Sequence, residues 1–281
     1  MDRGVVINGF INLILVVIAL VVLYYSFKFF YGTSTEQGVT LISNRLTANQ
    51  GVKVFTNQAR IYEGGEYTVN FWMYIGGYKQ NQGTRKHVFE IGGANFSTLL
   101  VALGAFKNSL SVRVHTKAGP GFTDASGRSM DASGNPLMPV TGSITQSTSD
   151  MSLTPADKAQ LFKPLMMDDG LLNTAAGCDI EMVDLQRWVQ VSIVLNGRTS
   201  DVYVDGKLAR SCILKSFYRV DPTGVSVKVA DNGGFDGYLS QVSTYNYCLR
   251  PDIIYKMYMV GPNGSALDPI AYMRSLFQKQ Q

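Results

Sequence analysis

The sequence predicts a mainly β, antiparallel domain, a sandwich or a barrel, behind one N-terminal transmembrane helix. Three features carry the prediction: a charge-free run from Gly4 to Phe27, a series of short alternating strands punctuated by Gly and Asn, and an aromatic-rich composition. With 28 Gly, 15 Tyr and 14 Phe the chain is rich in turn formers and in residues suited to a pleated surface, where a helical bundle would hold more Ala, Glu and Lys. Hydrophobic residues make up 46% and charged residues 16% of the 281, enough for a buried core and too apolar for wholesale disorder. The net charge of +4 is scattered without a basic stripe, which argues against nucleic acid as a partner.

The apolar run comes first in the chain. As a helix at ~1.5 Å per residue it reaches roughly 36 Å, against about 30 Å of hydrocarbon. Leu13, Val17 and Leu20 lie in its uninterrupted centre, and Tyr24, Tyr25 and Lys28 form an aromatic and snorkelling flank at the headgroup level. A cleavable signal peptide is the competing reading, but bulky aromatics occupy the place where small residues precede a cleavage site. Arg3 on one side is balanced by Lys28 and Arg45 on the other, so charge sets no orientation. Residues 1–31 are therefore expected as a single-pass anchor and 32–60 as a linker ending in a possible first strand at Val52 to Phe55.

Strand signals follow. Tyr67, Val69, Phe71, Met73 and Ile75 alternate on one face of a central strand, and further strands are expected at 87–91, 98–103 and 109–115. Residues 116–177 break the rhythm with Gly, Ser, Thr, Asp and Pro, apart from a helical phrase at Thr154 and Pro155; this long insertion is expected as a surface excursion. Pairing resumes at 187–195 and 200–204, with Asn196-Gly197 and Asp205-Gly206 as tight turns. Strands at 225–229 and 237–247, a short helix opening at Pro251 and a tail over 263–281 complete the chain.

The stretch from Cys178 to Cys212 resembles the concanavalin A-like, laminin-G-like domains. Trp188-Val189 and then Val202-Tyr203-Val204-Asp205-Gly206 match the family's strand and hairpin, with a cysteine on either side. Asn232 to Gly237 and the helix ending at Tyr255 to Tyr258 before Gly261 extend the likeness over roughly residues 60 to 262. This version is similar to the membrane-anchored members found in large double-stranded DNA viruses of algae and amoebae. The resemblance implies a jelly-roll-like β-sandwich over 61–262, with Trp188, Tyr203, Asp205 and Gly206 as its signature. It also implies a minor capsid role in the virion, at the interface of capsid and internal membrane, with the lipid bilayer and capsid or other virion proteins as partners.

Candidate chemistry is sparse. Asp179, Glu181 and Asp184 have the spacing of a β-sandwich glycosidase trio, but Asp stands where that family has Glu, and a solvated turn before Trp188 is the plainer reading. His87 and His115 are in no metal-type spacing, and neither a nucleophile elbow nor a phosphate loop occurs. Cys178 and Cys212 flank the paired strands, as a disulfide or as two buried thiols, leaving Cys248 over. Trp72 and Trp188 offer a sugar-stacking pair but lie among apolar neighbours that favour core packing. Asn95-Phe96-Ser97 and Asn263-Gly264-Ser265 are glycosylation sequons. The expectation is a structural, non-enzymatic interaction protein without a cofactor. The alternative is a membrane-tethered lectin with a glycan partner and, only in that case, calcium; a glycosidase is the distant third.

Overall fold

The computed structural model describes residues 3–31, 38–116, 153–165, 178–214 and 216–263, with the side chains of the first helix described over 11–26. The chain forms two units, one up to Gln37 and one from Gly38 onward. The first is α1 (Arg3–Tyr31), on which Leu13, Val17, Leu20, Tyr24 and Tyr25 are all exposed. Among the described residues no helix is long and apolar enough to cross a membrane. The Lys28 side chain lies outside those described. The transmembrane segment expected from the sequence is thus not found in what the structure describes.

The second unit is a sandwich of two antiparallel sheets. The larger sheet holds β1 (Val39–Ile42), β2 (Leu46–Thr47), β4 (Glu66–Ile75), β8 (Trp188–Asn196), β9 (Thr199–Val204), β10 (Lys207–Ile213) and β12 (Gly237–Tyr245). Its order is β1-β12-β4-β8-β9-β10, with β2 also on β12. The smaller sheet holds β3 (Lys53–Thr56), β5 (Lys86–Gly92), β6 (Ser97–Leu103), β7 (Leu110–Val114) and β11 (Ser226–Val229), in the order β3-β11-β5-β6-β7. Alternation builds the core: Val69, Phe71 and Met73 of β4, Val191 and Ile193 of β8, and Phe89 and Ile91 of β5 are essentially inaccessible and meet between the sheets. Phe71 and Phe89 stack across the gap with centroids 6.1 Å apart.

Strands β1, β2 and β10 go unread in the sequence for one reason. They are short or lie at the sheet edge, and β10 is exposed at six of its seven positions, so no alternation marks it.

Helices close the outward faces. α3 (Pro251–Val260) buries Ile254 against Val194, Tyr203 and Leu249 on the larger sheet. On the smaller sheet, α2 (Pro155–Leu161) begins at a complete capping box between Thr154 and Asp157, at the Thr154-Pro155 phrase noted above. The rest of the expected excursion, 117–152 and 166–177, and the tail beyond Asn263 lie outside the described residues.

Candidate functional site

The acidic trio does not converge. Asp179 is buried and takes a two-pronged ion pair from Arg113 of β7, Nη2 to Oδ2 at 2.9 Å. Glu181 is exposed and faces Arg210 at 3.4 Å, and Asp184 takes Arg187 at 2.6 Å. Three carboxylates on three arginines leave no pair flanking a common point, as glycoside hydrolysis requires. Their role is a seam: Ile180 pairs with Leu110 of β7, Val183 N donates to Asn108 O at 2.7 Å, and Cys178 is joined by a disulfide to Cys212 of β10. Residues 178–183 so tie the edge of one sheet to the edge of the other. Cys248 is a free thiol, its pKa pushed up to about 11 by burial, which makes it a poor nucleophile.

Among the described residues one group brings metal-type atoms together: His87, Glu90 and Asp231, within 4.8 Å of one another. Hydrogen bonding argues against a metal. His87 Nδ1 accepts from the backbone N–H of Asp231 at 3.1 Å, so Nε2 carries the proton and donates to Glu90 Oε2 at 3.1 Å. A ligating histidine donates through its second nitrogen; here that nitrogen accepts. The cation on Glu90 is already Lys158 of α2, with Nζ 2.6 Å from Oε1. Burial opposes ionisation of Glu90, but hydrogen bonds from His87, Lys158 and Ser97 outweigh it and hold the carboxyl well below its ordinary range. His115 works similarly, with Nδ1 accepting from Leu153 N at 3.1 Å, and burial lowers its pKa. Both histidines thus hold backbone: His87 the turn at Asp231, His115 the residue just before the Thr154 cap of α2.

The signature residues position α3. Asp205 and Gly206 form the turn between β9 and β10 with φ of 51° and 75°. A Cβ on Gly206 would stand 3.0 Å from the Tyr255 ring, so glycine is required by conformation and by the approach of the helix. Asp205 accepts from Gln190 N at 3.0 Å and pairs with Arg187 at 2.6 Å, while Tyr203 is buried beneath Ile254. Beneath α3 lies a polar network: Gln190 Nε2 donates to Asn70 Oδ1 at 2.9 Å and to Ile254 O at 3.4 Å, and Ser192 Oγ donates to Asn70 Oδ1 at 2.8 Å.

The two tryptophans separate. Trp72 is 4% exposed and stacks on Tyr258 of α3 at 5.8 Å, so it offers no free face. Trp188 is half-buried and belongs to a cross-strand row, with Tyr238 of β12 opposite Tyr74 of β4 and Tyr74 opposite Trp188 of β8. The ring centroids are 5.9 and 5.8 Å apart, the planes inclined by 46° and 56°, and Arg45 lies 4.5 Å over Tyr238. All three aromatics are partly exposed. Sequence reasoning missed the row because its members lie on three strands; the period-2 placement of Tyr74, one residue beyond Met73, is the signal that was present.

The sequon at Asn95 is engaged. Asn95 Nδ2 donates to Asp221 at 3.1 Å, and Ser97 is fully buried on Glu90. Ser265 of the second sequon lies outside the described residues.

No family model matches the chain, and no curated protein matches it. Solved structures similar to it include the ligand-binding domain of botulinum neurotoxin serotype D in complex with N-acetylneuraminic acid, at 13% identity and TM-score 0.45, covering 82% of this chain and 47% of that one. The binding domain of serotype G matches at 10% identity and TM-score 0.41, covering 81% of this chain and 47% of that one. The receptor-binding domain of botulinum neurotoxin D matches at 13% identity and TM-score 0.44, covering 81% and 48%. The chain spans about half the length of these structures.

Proposed function

We propose that this chain is a non-enzymatic structural and interaction protein, held in a bilayer by α1 and using its sandwich to contact neighbouring proteins. The specific form of the reading is a minor capsid component of a large DNA virus that ties the shell to an internal membrane. The carrying observation is that each sheet has a helix of the chain on its outward face, α3 on the larger and α2 on the smaller, while the acidic trio is dispersed over Arg113, Arg210 and Arg187. Such a sandwich offers turns, rims and edge strands for contact. The charge-free run from Gly4 to Phe27 supports the anchor.

The test is flotation of the full chain with phospholipid vesicles, followed by retention of purified shell protein on the floated sample. Co-flotation that resists alkaline carbonate, with stoichiometric retention, is expected. A chain left in the soluble fraction sinks the anchor, and floated chain that retains no shell protein sinks the capsid role.

A membrane-tethered lectin is the second reading, and the half-exposed row Tyr238, Tyr74 and Trp188 favours it.

A further inference from the structure

We infer that the row Tyr238–Tyr74–Trp188 is a carbohydrate subsite that takes the faces of neutral pyranose rings; this deepens the lectin reading and rests on it. The row lies on the outward face of the larger sheet, since its strand neighbours Leu239, Met73 and Val189 point into the core. On the same face α3 covers the neighbouring positions, with Tyr258 on Trp72 and Ser240 Oγ donating to Pro262 O at 2.7 Å. The aromatic row beyond them stays partly open.

Two properties define the ligand. The first is shape: three neighbouring rings with planes inclined by 46° and 56° line up aromatic surface, and π faces left open beside Arg45 receive C–H groups. The second is hydrogen bonding. The hydroxyls of Tyr74 and Tyr238 and the indole N–H of Trp188 have no hydrogen-bond partner among the described residues, which sets polar tips beside the ring faces. A ligand that satisfies both has apolar faces and hydroxylated edges, which is the chemistry of a pyranose. Charge argues for a neutral one. Arg187, at the Trp188 end, is taken by Asp184 and Asp205, each at 2.6 Å, and Arg45 at the other end lies over the Tyr238 ring.

The experiment titrates the full chain in detergent with tetrasaccharides of β-linked glucose, galactose and N-acetylglucosamine, read by tryptophan fluorescence and calorimetry. Acrylamide quenching beforehand compares the wild type with Trp188→Phe. The expected result is an accessible Trp188, saturable binding of at least one tetrasaccharide with a blue shift, and weakening of about tenfold in Trp188→Ala and in Tyr74→Ala. Trp188→Phe keeps a stacking ring and retains most of the binding, which a loss through misfolding would not allow. Binding that persists in both alanine variants overturns the subsite while leaving the lectin reading intact. Absence of saturable binding overturns both, and so does a Trp188 already shielded from acrylamide by the chain itself.

Discussion

Asp221 and Asp179 are single carboxylates that each close a gap between distant segments. Asp221 accepts from the backbone N–H groups of Asn95 and Phe96 at 2.6 and 3.1 Å and from Thr223 N and Oγ1 at 2.9 and 2.7 Å, which fastens the β5–β6 turn to the loop before β11. Its removal in Asp221→Ala strands these donors, and a loss of about 2–3 kcal/mol is expected in urea denaturation. Asp179→Ala leaves Arg113 buried and unpaired, with an expected loss of about 3–5 kcal/mol by the same measurement. Neither variant is expected to change glycoside hydrolysis, since the wild type is expected to show none; measurable turnover that disappears in Asp179→Asn would refute the seam role. Acid sensitivity follows from the same groups. Burial opposes the charge of Asp221, but hydrogen bonds from Thr223 and the backbone of Asn95 and Phe96 outweigh that and depress its pKa, as the side-chain donors of His87, Lys158 and Ser97 do for Glu90. A depressed carboxyl stabilises the fold above its ordinary pKa of ~4 and loses that contribution as pH falls below it. His115, also depressed, resists protonation in the folded state, so stability already declines as pH drops below ~6.5. The urea midpoint is expected to fall in both windows, and His115→Gln should flatten the upper one.

Among the elements, α3 and the seam carry the most weight. Ile254 is wholly buried, so Ile254→Ala is expected to cost about 2–4 kcal/mol, with the near-ultraviolet signal of Trp72 changing as Tyr258 loosens above it. Reduction of the Cys178–Cys212 bond, whose Cα atoms are 5.8 Å apart, is expected to cost about 2–4 kcal/mol, measured as the difference in thermal unfolding with and without reductant. How much was legible differs by element. The inward face of β4 was readable because one period-2 pattern specifies it, whereas a bulge at Gln241 breaks the period in β12. Polar Asn70, Gln190 and Ser192 lie on the opposite strand face from the core residues, yet they are buried, because a helix far later in the chain covers them. The aromatic row was illegible for a related reason: register between β12, β4 and β8 joins residues that no local pattern relates.

For the whole molecule, the anchor makes a direct prediction. Val17→Lys with Leu20→Lys places two charges in the apolar centre of α1, at about 2.5–3.5 kcal/mol each, and is expected to abolish vesicle co-flotation while leaving the sandwich folded by circular dichroism. The order of strands has a further consequence, in time rather than in space. β1 and β2 pair with β12, and β4, which gains β8 earlier, takes β12 on its other side, so the first two strands and that side of β4 stay unpaired until the last strand is made. About 160 residues separate Ile75 from Gly237, roughly 10–30 s of synthesis. During that interval the edge of β4 that takes β12 has no partner, and the nascent chain is prone to aggregate through it. A ribosome that pauses before Gly237 would therefore hold back the whole domain, and assembly of this protein is timed by the completion of its C-terminal third.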